Sequence, residues 1–157
     1  MAKVALAGAL LAGAALMLFR FFTQNDGTSE KTFFYDLSEK KLFALPRETL
    51  PPCRGLNNPQ AEAVRAVVIS ISGDPKDAAS RKIAYLEKYA PELKQNLEKA
   101  RIGQAEPLPR NARDNYRLVK RLADAEWHRV SSAEGEKILA EWNVPGPDGK
   151  YPAVCTP

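Results

Sequence analysis

The stretch Val64–Ser72, VRAVVISIS, decides the fold. It is rich in β-branched residues, and Val67, Ile69 and Ile71 alternate onto one face, so it reads as a strand at the centre of a sheet. The segment immediately downstream sets the architecture. Gly73-Asp74-Pro75-Lys76-Asp77 supplies a capping aspartate, a proline suited to the first helical position and an acid for the positive first turn. Ile83, Leu86 and Tyr89 or Ala90 then recur at helical spacing. This predicts a helix to about Tyr89, kinked or restarted at Pro91, with Leu93, Leu97 and Ala100 continuing its buried stripe until Gly103 ends it.

Upstream, Thr32–Asp36 (TFFYD) and Leu42–Leu45 (LFAL) flank Leu37–Lys41 as a hairpin with a longer loop. Residues 46–61 read as irregular, because Pro51, Pro52 and Pro59 cannot donate to a ladder. Downstream, residues 115–130 fit either a helix face (Tyr116, Val119, Ala123, Trp127) or two strands turning at Ala123–Glu126, and strands are preferred. Ser131-Ser132-Ala133-Glu134 is a capping box opening a short helix through Trp142. Pro145–Gly149 is a turn, and Tyr151–Cys155 a final edge strand. The expected domain is α+β, an antiparallel sheet of about five or six strands packed by one long kinked helix.

Ahead of this domain every residue from Val4 to Phe19 is apolar or glycine. As a helix that run covers about 24 Å, and about 28 Å if Arg20 reaches the headgroups and Phe22 is included. Both lengths are close to the hydrocarbon thickness of about 30 Å. The expectation is a transmembrane anchor at residues 1–22, a linker at 23–31 and an extracytoplasmic domain at 32–157. A cleaved signal peptide is the competing reading, but Leu18–Phe22 lacks the small residues that cleavage needs. Ala5, Ala9 and Gly13 form a small-residue stripe that would let a partner helix approach, unless they merely reflect a short anchor's composition.

Of the 23 basic residues, Lys3 and Arg20 belong to this leader. The rest of the chain carries 21 against 19 acidic residues, a net charge of only +2, so nucleic acid is not an expected partner. Arg110, Arg113, Arg117, Lys120 and Arg121 form the densest basic stretch, either a solvated face or a site for anionic lipid or polyanion. Cys53 and Cys155 could form one bridge, which would close a loop worth on the order of 4–5 kcal/mol, or they are two separate thiols. His128 is the sole histidine; with Cys53 it could make a nucleophile and base only if the fold joined them. No catalytic, metal or cofactor motif is recognisable.

Phe33-Phe34-Tyr35-Asp36-Leu37 with Leu42-Phe43, Gly73-Asp74-Pro75, and Pro147-Asp148-Gly149 through Val154-Cys155-Thr156-Pro157 resemble a set of uncharacterised single-span proteins of planctomycete-type bacteria. The resemblance implies a bacterial envelope protein and carries no active site to transfer. Together these readings predict a non-catalytic, membrane-anchored interaction module, an accessory subunit whose partners are lipid and other membrane proteins. The alternatives are a small enzyme or ligand-binding domain whose site only the fold assembles, and an anion binder acting through Arg110–Arg121.

Overall fold

A computed structural model describes residues 30–157. Its seven strands are β1 (Lys31–Asp36), β2 (Lys41–Pro46), β3 (Ala63–Ser70), β4 (Arg81–Tyr89), β5 (Arg117–Lys120), β6 (His128–Arg129) and β7 (Ala153–Cys155). They form one antiparallel sheet in the order β2-β1-β3-β4-β5-β6. On the edge of β3 away from β4, β1 takes Ala63–Arg65 and β7 takes Val68–Ser70. Three short helices complete the domain: α1 (Pro91–Arg101), α2 (Ala112–Tyr116) and α3 (Ala133–Ala140).

The long kinked helix is therefore corrected. The cap is Asp77 and not the expected Asp74: Asp77 accepts the Ala79 N–H and starts only a single 3-10 turn at Ala78–Ser80, while Asp74 accepts the Lys76 N–H. The chain then enters β4, a nine-residue strand. The helical spacing there has a specific cause. Val68 pairs with Ile83 and Ala66 with Leu86, with an extra residue accommodated by a bulge. That bulge brings residues three apart onto one face, a repeat that otherwise belongs to helices. Pro91 opens α1 at its first turn rather than kinking a longer helix, and Gly103, at φ 71°, follows its end.

The expected N-terminal transmembrane helix is likewise no part of the architecture seen. No helix among the described residues is long and apolar enough to cross a membrane. The apolar run, with Ala5, Ala9 and Gly13, lies outside the described residues.

Two apolar clusters hold the sheet, one per face. Val64, Ala66, Val68, Leu86 and Cys155 form the first, with Phe33, Tyr35, Leu37, Ile83 and Trp127 packed on it. The second joins Val119 to Val130 and Ile138, with Tyr85 and Leu139 beside them, and so docks α3 on β5 and β6. Ser132 caps α3 by accepting the Gly135 N–H (3.1 Å). A Cβ at Gly135 would overlap the Arg129 carbonyl, so only glycine permits this close approach.

One fully buried carboxylate ties the hairpin to the irregular segment. Asp36 accepts the N–H groups of Ser38 (3.0 Å), Glu39 (3.0 Å) and Leu56 (2.7 Å) and the Ser38 hydroxyl (2.7 Å). Donors from Glu39, Leu56 and Ser38 hold its pKa at about 2, below the ordinary aspartate value. Gly55 lies against it, and a Cβ there would overlap the carboxylate.

Cys53 and Cys155 are free thiols. Cys53 bridges to Ala63 and Cys155 pairs with Val68, five residues further along β3. At about 3.3 Å per residue they are separated by about 16 Å along the strand, beyond the reach of roughly 7 Å that a disulfide allows. The bridge considered from the sequence is excluded by this register.

Candidate functional site

Charged side chains inside apolar strands mark the site. Pairing of Arg65 with Glu87 across β3 and β4, and of Glu87 with Val119 on β5, places all three residues on the α3 side of the sheet. Arg117, at the start of β5, joins them. Glu87 is only 4% exposed and carries two guanidiniums: Arg117 Nη2 at 2.7 Å from Oε2 and Arg65 Nη1 at 3.4 Å from Oε1. Burial opposes the Arg117 charge, but the hydrogen bond and charge of Glu87 outweigh it and raise its pKa.

Arg65 is held loosely by comparison. Its donors reach Tyr89 Oη, Arg47 O and Thr49 O, each at 3.4 Å, and its buried Nε has no hydrogen-bond partner. Such contacts sit at the long end of the useful range. The guanidinium also lies 5.9 Å from the Tyr89 ring centroid.

These residues floor an open cleft of about 510 Å³. Arg47 and Glu48, just past β2, and Arg113, on α2, form its rim, while Leu50, Val67 and Leu97 supply apolar wall. Four arginines face two glutamates, a surplus of two positive charges. Among the described residues, neither Arg47 nor Arg113 has a carboxylate partner. The cleft can therefore hold an anionic group while an attached apolar portion lies on the leucines and valine.

The fold divides the basic stretch Arg110–Arg121. Arg113 and Arg117 line the cleft, while Arg110 is exposed and outside it. Lys120 points to the opposite face, where its Nζ lies over Trp127. Arg121 is committed to structure: it reaches Asp124 (3.1 Å), Glu134 (2.8 Å) and Glu141 (2.6 Å), tying the end of β5 to α3. Strand alternation is the reason, since neighbours in β5 leave the sheet on opposite sides.

Cys53 and His128 are not brought together. Cys53 pairs with the start of β3 and His128 lies on β6, with β4 and β5 between those strands. The residues that sequence reading missed are Arg47, Arg65, Glu87 and Tyr89. Arg65 was the available signal: a charge within VRAVV must be matched by an opposite charge on a neighbouring strand or leave the sheet.

No protein-family model, curated protein or solved structure matches this chain. The functional reading therefore rests on the cleft itself.

Proposed function

We propose that this domain is a non-catalytic interaction module that receives acidic side chains of a partner protein in the arginine cleft. The observation carrying this reading is the surplus of arginine over carboxylate on an amphipathic surface, with Arg47 and Arg113 unmatched at its rim. Guanidinium suits this task, since its planar fork pairs bidentately with carboxylate. Arg47 and Glu48, where the chain leaves β2, are exposed members of the cleft lining, and β2 has no neighbour on its outer side among the described strands. A partner segment could enter there without threading. The apolar run Val4–Phe19 supports a membrane setting; in this reading the domain is an accessory subunit on the extracytoplasmic side of a bacterial envelope.

The test is purification of the full-length protein from native membranes in mild detergent, beside the double variant Arg47→Glu/Arg113→Glu. The expected result is a stoichiometric companion with the wild type, held at least about tenfold more weakly by the variant, which is about 1.4 kcal/mol. A lone protein, or a companion retained equally by both forms, overturns the reading.

A further inference from the structure

A second cationic site lies on the opposite face of the sheet, around Trp127. Two ammonium groups share its ring: Lys88 Nζ is 4.4 Å from the centroid and Lys120 Nζ is 5.4 Å. The pairings Leu86 with Lys120 and Lys88 with Leu118 make the two lysines diagonal neighbours on one face of the β4–β5 ladder. Measured through the ring, their charges stand no more than about 10 Å apart. One lysine on a tryptophan is ordinary packing. Two like charges on the same ring repel, and that repulsion needs compensation.

Compensation within the protein is incomplete. Lys120 donates to the Asp124 carbonyl (2.8 Å). The Lys88 ammonium makes no hydrogen bond or ion pair among the described residues, although the side chain is half-buried. Burial first, and Lys120 second, push its pKa below the ordinary lysine value. Lys88 also borders a cleft of about 410 Å³ whose apolar wall is Pro52, Pro91 and Leu118. Lys94 and Glu98 also line that cleft, with Lys94 already engaged with the Pro52 carbonyl (2.6 Å) and Glu98 (3.8 Å).

We infer that Lys88 and Lys120 clamp the phosphate of an amphipathic phosphate ester, whose apolar body lies in the adjoining cleft against Pro52, Pro91 and Leu118. Phosphate fits better than carboxylate here. Lysines act as point charges and need no planar match, and a doubly charged head balances both ammoniums. The site is separate from the arginine cleft and uses none of its arginines.

Trp127 reports occupancy directly. In the full-length protein with Trp142→Phe, leaving Trp127 as the single tryptophan, emission is followed during titration with monohexyl phosphate and with inorganic phosphate. The expected result is a saturable change, with monohexyl phosphate binding at least tenfold tighter than the inorganic ion. Lys88→Met should weaken binding tenfold or more, Lys88→Arg should restore most of it, and Arg113→Glu should leave it unchanged. Vesicles of phosphatidylcholine containing phosphatidic acid, whose head is a phosphate monoester, against phosphatidylcholine controls, distinguish the sources. A matching change with the anionic vesicles identifies a lipid headgroup, and a change with the soluble ester alone identifies a free phosphate ester. No saturable change, or an undiminished one in a folded Lys88→Met protein, overturns the proposal.

Discussion

Replacing Glu87 by glutamine should separate the stability of the arginine cleft from its affinity for anions. Glu87 is 4% exposed and is the only carboxylate within 4 Å of Arg65 or Arg117 among the described residues. Removing one partner of a buried ion pair costs about 3–5 kcal/mol, because the remaining charge stays desolvated. Here both guanidinium-bearing side chains keep some solvent, 23% and 32% exposed, so the lower end applies: about 3 kcal/mol. For a domain of this size that lowers Tm by about 10 °C. The same change raises the cleft's charge surplus from two to three, so acetate or an acidic peptide should bind more tightly to the variant. Calorimetric unfolding gives the first quantity and titration calorimetry the second. Replacing Arg65, Glu87 and Arg117 together by Met, Leu and Leu should cost less than Glu87→Gln alone, since no buried charge is then left unmatched. An unchanged Tm in Glu87→Gln, or weaker anion binding with the fold intact, would refute this reasoning.

Asp36 should give the domain an acid limb. Its folded pKa of about 2 lies below the unfolded value near 3.8, so its stabilisation is complete above about pH 4 and is lost as pH falls toward 2. Urea unfolding at stepped pH should show that loss in the wild type and a shallower slope in Asp36→Asn, itself destabilised by about 2 kcal/mol at pH 7. Gly135→Ala should destabilise by more than 2 kcal/mol, because the new methyl meets the Arg129 carbonyl, whereas Gly103→Ala, strained but in open space, should cost about 1 kcal/mol. Thermal melts of the two variants rank them. Mass spectrometry of the unreduced protein should show no Cys53–Cys155 linked peptide. Cys53 should alkylate slowly, since burial raises its thiol pKa despite Lys94 nearby.

Much of the sheet was legible because its signals are local. The hairpin β1–β2 follows from two short aromatic and aliphatic runs around a polar loop, and β3 from its β-branched residues. The helix opened at Ser132 and the last strand also follow from local pattern. Residues 115–130, in contrast, fit helix and strand alike, and it is pairing with β4 and with each other that makes β5 and β6 strands. β4 was not legible, because its bulge gives Ile83 and Leu86 the spacing of a helix face. The preceding Asp74-Pro75 cap signal reinforced the error, although the cap that forms is that of Asp77 on one 3-10 turn. The cleft was illegible for a different reason. Arg65, Glu87 and Arg117 come from three separate strands, and only strand pairing makes them neighbours. A run of basic residues drew attention to positions 110–121, yet alternation sends Lys120 to the other face and Arg121 into a structural network.

The contact between Asp36 and Gly55 has an evolutionary corollary. An acid at the first position leaves no room for any side chain at the second, and a larger residue at the second would evict the acid that fastens both loops. Neither can drift alone. In any distant cousin of this domain the two should be inherited as a unit or exchanged together, a two-letter watermark separated by nineteen positions that outlasts overall sequence likeness.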